Sequence, residues 1–302
     1  MSRILVTGGT GFVGRRVIAR LAAAGHSVRV LDLRPRPEEL ESCRPGLAAA
    51  CEIVAGDIAA PGVVAEAAEG CAGIVHLAGL MTVDCARDPL LAARVNLAGS
   101  IHVFEAARLG GQTVAWLSTA GVFGPEDALH PRPMTVYGSL KLAVEGIARA
   151  YHADHGVPSF ALRPYIVYGP GESAGIAAGP SIAIRAAAER RPATIRFSGR
   201  VGFVFVDDVA RALADAVTGP MAGCTALTMA GETAEMTEFT ARLAEATGWT
   251  GIAIEGPPLR IPADLGSDPM PGWIGPQPVT GLAEGIARSL AELAQPAMTG
   301  GE

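Results

Sequence analysis

Tyr137 and Lys141 stand four residues apart in a stretch, Thr135 to His155, whose pattern reads as one long helix, so both side chains leave the same face. A phenol titrates at about 10 and is a poor base at neutral pH. A lysine ammonium beside it, together with a positively charged nicotinamide, stabilises the phenolate and lowers that value. Such a tyrosine takes a proton from a secondary alcohol while hydride leaves for a cofactor. Ser118 and Thr119 end a strand read over Gln112 to Ser118, and their hydroxyls can orient the substrate oxygen.

That chemistry needs a dinucleotide, and the N-terminal stretch Thr7-Gly8-Gly9-Thr10-Gly11-Phe12-Val13-Gly14 has the residues to hold one. Ile4-Leu5-Val6 reads as a buried strand and Phe12 to Ala24 as a helix. Phe12, Val13, Val17, Leu21 and Ala24 form its apolar stripe, with Arg15, Arg16 and Arg20 off it. The glycines between them permit a tight turn, a close approach of backbone to a pyrophosphate, and close packing of helix on sheet. The anion then meets the free N–H groups of the helix N-terminus. Ser27 to Leu33 reads as a second strand, and Asp32 falls about 20 residues beyond Gly11, where a ribose-binding acid is expected. A carboxylate there accepts from the ribose hydroxyls and repels a 2′-phosphate, which favours NAD over NADP. Arg34 and Arg36, between Pro35 and Pro37, read as a solvated loop.

Further strands are read at Cys51–Ala55, Gly73–Leu77 and Ser159–Arg163, and helices at Pro61–Glu69 and Pro89–Arg108. Strands alternating with helices predict an α/β fold, a Rossmann-type doubly wound parallel sheet with the cofactor at the carboxyl ends of its strands. Gly8, Asp32, Asp57, Ala78 and Ser118 all fall at such ends. Beyond residue 165 the expected elements are a helix at 180–191, a strand at 201–206, a helix at 207–217 capped by Asp207 and Asp208, a strand at 226–230, a helix at 236–247, a strand at 251–255 and a final helix at 279–293. Pro257 to Pro278 reads as a loop near the active site.

The chain has 302 residues, 49% of them apolar, and a net charge of −6. That supports a large core and offers no basic run for nucleic acid or an anionic membrane. No apolar stretch is long enough to span a bilayer. A strand that starts almost at residue 1 leaves no room for a signal peptide, and five cysteines without Cys-x-x-Cys spacing read as reduced thiols, so a cytoplasmic protein is expected. No metal site is expected; His152, Asp154 and His155 read as a solvated helix terminus.

Over nearly its whole length the sequence resembles the extended short-chain dehydrogenase/reductases of the NAD-dependent epimerase/dehydratase family. The matching pieces, besides the glycine run, are Gly56-Asp57-Ile58, His76-Leu77-Ala78-Gly79, Val95-Asn96-Leu97-Ala98-Gly99, Leu117-Ser118-Thr119-Ala120-Gly121-Val122-Phe123-Gly124, Tyr137-Gly138-Ser139-Leu140-Lys141, Arg163-Pro164 with Val167-Tyr168-Gly169-Pro170-Gly171, and Phe205-Val206-Asp207-Asp208-Val209-Ala210. The resemblance implies that Leu33, Asp57 and Ile58 border the adenosine and that Leu77, Ala78 and Gly79 line the phosphate and ribose path. It implies that Asn96 steadies the active-site helix, with Pro164, Ile166 and Val167 beside the nicotinamide. Tyr137 would be the catalytic base, Lys141 would bind the nicotinamide ribose, Thr119 would take the catalytic hydroxyl position, and Ser118 would lie near the nicotinamide. It implies a homodimer through helices at about 89–108 and 135–155. It also implies two interleaved parts: residues 1–165, with about 200–217, for NAD, and most of 166–302 for substrate. Members acting on nucleotide sugars often carry Asn at the place of Ile166, Arg at the place of Val201 and His at the place of Phe205. These departures favour an NAD-dependent dehydrogenase of a small polar alcohol (sugar, sugar acid or hydroxy acid), with Arg200 and Ser173 touching substrate. The alternatives are a nucleotide-sugar epimerase or dehydratase that recycles NAD internally, and a non-catalytic NAD sensor.

Overall fold

The computed structural model describes residues 1–295. The chain runs through β1 (Arg3–Thr7), α1 (Phe12–Ala23), β2 (Ser27–Asp32), α2 (Pro37–Cys43), β3 (Cys51–Ala55), α3 (Val63–Ala68), β4 (Gly73–His76), α4 (Thr82–Arg87), α5 (Pro89–Ala92), a π-helical turn (Ala93–Ala98), α6 (Gly99–Gly110) and β5 (Thr113–Leu117). A 3-10 turn (Ala120–Val122) leads into β6 (Phe123–Gly124), β7 (Asp127–Pro131), α7 (Val136–His155), β8 (Ser159–Pro164), β9 (Ile166–Tyr168), α8 (Gly179–Ala188), β10 (Ala193–Ile195), β11 (Arg200–Phe205), α9 (Val206–Thr218), β12 (Cys224–Met229), β13 (Glu232–Glu235), α10 (Met236–Thr247), β14 (Ile252–Ile254) and α11 (Leu282–Leu293).

Seven strands form one parallel sheet in the order β12-β8-β5-β4-β1-β2-β3. The chain reverses direction across the sheet between β1 and β4, and such a switch point opens a crevice at the strand ends. Alternate residues of β1 feed opposite cores. Ile4 and Val6 join Val30, Val75 and Leu162 beneath α1 and α9. Leu5 joins Leu31, Ile74 and Trp116 beneath α3, α6 and α7. Both faces are therefore buried, which is why these strands read as unbroken apolar runs.

A smaller sheet, β13-β11-β9, and the pair β10-β14 lie outside the main sheet. β12, in contrast, pairs in parallel with β8 and forms the main sheet's edge. Arg15 departs from expectation. It is buried, paired with Glu39 and packed on the backbone of Gly171. Arg16 reaches both Glu292 of α11 and the Pro170 carbonyl. The polar side of α1 is thus covered by later parts of the chain, a long-range contact that local periodicity cannot reveal. The aspartates of α9 do not cap it: they lie in its first turn, and Asp208 instead accepts from Thr280 and Arg211. Pro61 precedes α3 rather than starting it. α4, β6, β7, β9, β10 and β13 are too short to register as periodic stretches.

Phe104 is fully buried, edge-on to Trp116 at 6.3 Å and 5.6 Å from the Tyr151 ring. Phe104→Ala is expected to lower the unfolding free energy by about 3–5 kcal/mol, read as a reduced urea midpoint at unchanged slope.

Candidate active site

Gly8 leaves β1 at φ +67, and its N–H donates to the Leu31 carbonyl at 2.8 Å. A Cβ on Gly8 would stand 2.7 Å from the Ala78 nitrogen, so the turn presses against the end of β4. A Cβ on Gly14 would meet the Gly8 carbonyl oxygen at 2.5 Å, which brings α1 onto the turn. The N-cap of α1 is Gly11; it supplies no side-chain cap, and the first turn holds no acid. Its N–H groups and dipole are left for an anion.

Asp32 ends β2 beside this turn. Its Oδ2 accepts from the Thr10 hydroxyl at 2.7 Å and the Thr10 N–H at 3.3 Å, and its Oδ1 from the Arg34 N–H at 3.2 Å. A carboxylate has about four acceptor sites, so capacity for ribose hydroxyls remains. A cavity of about 360 Å³ opens here, lined by Gly8, Thr10, Gly11, Asp32, Leu33, Asp57, Ile58, Leu77, Ala78 and Gly79. All ten are among the residues expected to bind the cofactor. Phe12, Val13 and Gly14 are not in the cavity lining; they form the first turn of α1, whose N–H groups make the anion seat. Gly56, Leu80, Leu91, Arg94 and Val95 also line the cavity without having been foreseen. Arg36 borders it from the exposed loop before α2, and its guanidinium pairs with Glu39 at 3.1 Å. The floor rests on a buried relay. Thr7 Oγ1 meets His76 Nδ1 at 2.8 Å, and His76 Nε2 meets Ser100 at 3.0 Å. Burial, reinforced by the Lys141 charge, holds His76 neutral by lowering it to about 3.

Asn96 sits in the π-helical turn, which packs against α7. Its amide brackets Leu80, accepting from the Leu80 N–H at 2.7 Å and donating to the Leu80 carbonyl at 2.9 Å, and it reaches the Cys85 sulfur at 3.4 Å. The extra residue of the π turn aims this side chain at the cofactor loop.

Tyr137 lies in the first turn of α7, where Thr135 caps the helix by accepting the Gly138 N–H at 3.0 Å. The positive end of the helix dipole favours a phenolate there. Burial acts the other way, pushing the phenol well above its ordinary value. Lys141 Nζ donates to the Leu117 carbonyl at 2.8 Å and stands 5.8 Å from the Tyr137 ring centroid. Burial pushes this ammonium down to about 8. In the cofactor-free chain, therefore, desolvation outweighs the mutual help expected of the pair. Thr119 Oγ1 accepts the Gly121 N–H at 3.0 Å and caps the 3-10 turn, which leaves its hydroxyl proton free to donate. Ser118, next to Thr119, is buried, and its hydroxyl donates to Glu145 at 2.6 Å. Glu145 was not anticipated, although its place four residues after Lys141 was a signal.

The residues expected on the substrate side separate. Arg200 is exposed and paired with Asp264 at 3.1 Å, and Ser173 is exposed on the loop before α8. Ile166 and Val201 are buried within the core, and Phe205 lies under the Arg288 guanidinium at 4.6 Å. Pro164 ends β8, and Val167 pairs with Val204 in the small sheet.

A glycine turn at the switch point of a parallel sheet, with a Tyr-x-x-x-Lys helix alongside, defines a dinucleotide-dependent enzyme of the short-chain dehydrogenase/reductase class. Residues 4–225 match the model of the NAD dependent epimerase/dehydratase family, and the chain belongs to that family. It is 31% identical to the UDP-glucose 4-epimerase of Mycolicibacterium smegmatis over 95% of this chain and 97% of that one. It is 29% identical to the ceramide reductase of Caulobacter vibrioides over 73% of this chain and 62% of the relative. The Thermus thermophilus UDP-glucose 4-epimerase in complex with NAD superposes with a TM-score of 0.78 at 28% identity, covering 96% of this chain and 98% of that one. NAD is the cofactor, and the turn that a Cβ would block, with the acid at the end of β2, fits it.

Gly8→Ala is expected to lower the unfolding free energy by at least about 1–2 kcal/mol, because the left-handed turn strains an alanine and its Cβ would meet the Ala78 nitrogen at 2.7 Å; a reduced urea midpoint reads this. Lys141 leaves a pH signature in the cofactor-free protein. Its ammonium titrates at about 8 when folded and at 10.5 ordinarily. Between these values the unfolded chain holds more protons, so this group's contribution to stability rises with pH, while below 8 its burial cost is full. Lys141→Met should be the more stable protein below pH 8, with the difference closing towards pH 10. The thiols of Cys43, Cys51 and Cys71, raised by burial, act oppositely in both proteins and cancel in the comparison. The Cys85 thiol, which Lys141 holds down against burial, is pushed further up in the variant and narrows the difference at high pH in the same sense. Urea unfolding of the two proteins from pH 7 to 10 measures it.

Proposed function

We propose that the chain acts on a nucleotide sugar as an epimerase or dehydratase, taking hydride from a secondary alcohol carbon and returning it within the same site. The near full-length likeness to the mycobacterial epimerase carries this reading. NAD, when bound, supplies the hydride acceptor and a positive ring. The chain's own residues do the rest. Tyr137 takes the alcohol proton and later gives it back. Lys141 holds the phenolate and the ribose beside it, and Thr119 donates to the substrate oxygen, its own acceptor side being occupied by Gly121.

A second reading, net oxidation of a small polar alcohol or reduction of the ketone, draws on Ile166 and Val201. Both are apolar and buried where diphosphate anchors would stand. Charge-assisted hydrogen bonds contribute about 1.5–3 kcal/mol each, so losing two weakens a nucleotide-sugar diphosphate steeply. In either case, most of 166–302 forms the substrate lobe, while α9 and β12 serve the cofactor sheet. A cytoplasmic homodimer is part of the proposal, its contact made by the helices at about 89–108 and 135–155, where Leu90 and Leu109 are exposed. No helix among the described residues is long and apolar enough to cross a membrane.

Purified enzyme given UDP-glucose or UDP-galactose is expected to interconvert them, or to release a keto-sugar, with no net rise at 340 nm. A steady rise at 340 nm with sugar acids or hydroxy acids, and inert nucleotide sugars, would overturn the first reading in favour of the second. Tyr137→Phe should lower kcat by about 10²–10⁴-fold in either assay and leave NAD binding intact.

A further inference from the structure

We infer that Glu145 is a positioning residue for hydride transfer: through Ser118 and Arg163 it sets the register of the Tyr137–Lys141 helix against the two strand ends that carry Thr119 and Pro164. The inference rests on the reading of Tyr137 as the acid–base group.

Glu145 follows Tyr137 and Lys141 at helical spacing and shares their stripe of α7. It is 2% exposed. Its Oε1 accepts from Ser118 Oγ at 2.6 Å and from Arg163 Nε at 2.8 Å, and its Oε2 accepts from the second guanidinium nitrogen at 2.5 Å. Ser118 immediately precedes Thr119 at the end of β5, and Arg163 immediately precedes Pro164 at the end of β8. The guanidinium also lies over the Phe123 ring at 5.3 Å, just beyond the 3-10 turn that Thr119 caps. One carboxylate therefore ties together the catalytic helix, the hydroxyl-bearing turn and the third wall of the site.

Such a pair is a poor device for stability alone. Desolvating both charges offsets much of their attraction, and an apolar pair of similar volume often serves as well. Its best-attested use is to fix one register among several. α7 draws on that in its N-terminal half: besides Lys141 and Glu145 the buried residues there are the small Gly138 and Val144, while Tyr151, packed on Phe104 and donating to Glu105 at 2.6 Å, holds the far end of the helix. Lys141 on the Leu117 carbonyl also pins the helix to β5, while the hydrogen bonds from α7 to β8 among the described residues are those of Glu145 with Arg163. A misplacement of about 1 Å at a reacting group can cost about 10²-fold in rate.

Glu145→Gln alone strands a buried guanidinium, so the test uses the charge-neutral double variant Glu145→Gln/Arg163→Met, with Ser118→Ala as the mild variant. Three readouts are taken: NAD affinity, kcat and KM with UDP-glucose, and the phenolate absorbance of the NAD complex titrated against a Tyr137→Phe blank. Expected for the double variant are a kcat lowered by about tenfold to a hundredfold, NAD affinity and KM within about threefold, and a Tyr137 midpoint raised by about one pH unit. Ser118→Ala should shift each in the same direction by less. A folded double variant with unchanged kcat and midpoint overturns the inference, as does a loss of kcat matched by an equal loss of NAD affinity. Should wild-type protein leave UDP-glucose untouched, the proposed substrate is wrong, while the phenolate titration, which needs no substrate, still decides the role of Glu145.

Discussion

Gly138 lies so close to the Gly121 carbonyl that a Cβ on it would overlap the oxygen. This backbone-on-backbone contact lets the first turn of α7 meet the turn after β5. It brings Tyr137, from one element, to Thr119, from another. Lys141 on the Leu117 carbonyl and Glu145 on Ser118 extend the same seam along the helix. The glycine in the middle of the Tyr-Gly-Ser-Leu-Lys stretch is thus a condition for the chemistry of the residues beside it. The seam holds three successive turns of α7 against the end of β5 and the turn that follows it.

Electrostatics divides the site into two halves. The half that receives the adenosine and pyrophosphate is open. Its charged groups, Asp32 and Asp57, are held by local backbone N–H groups, and its anion seat is the uncapped end of α1. Towards Tyr137 and Lys141 the site is drier, and burial there favours the neutral form of both. A tyrosine in that setting is a weak base until a positive charge arrives next to it. The nicotinamide ring of NAD is such a charge, so in the proposed mechanism Tyr137 responds to the bound cofactor rather than being permanently ionised.

The later part of the chain serves a different purpose. Arg16 joins α1 to α11 and to the Pro170 carbonyl, so the cofactor helix and the pieces around the substrate side are one packed unit. Ile166, Val201 and Phe205, at positions that carry polar groups in many nucleotide-sugar enzymes, join the core of the small sheet instead. Arg200, adjacent to Val201, cannot stand in for a missing cation, because the strand turns it outward to Asp264. Neighbouring residues on a strand face opposite sides, and one position of offset is enough to lose an anchor.

The parallel sheet, the glycine turn, Asp32 and the Tyr137–Lys141 helix were legible in the sequence. Their signals are local: apolar runs, glycines between a strand and a helix, and a spacing of four on one helix. The ends of β3 and α10 could be read to the residue for the same reason. Other features needed tertiary structure because they arise between elements distant in the chain. Burial of Arg15 depends on α2 and on Gly171, and the tie of Ser118 to α7 depends on Glu145, which Arg163 also holds. The membership of β12 in the main sheet depends on pairing with β8. A sequence fixes which groups can do chemistry, since residue type sets charge, donors and local backbone preference. Which hydroxyl faces the reaction and which one holds the helix in place is decided only when strands and helices meet, because a side chain's direction is set by the packing around it.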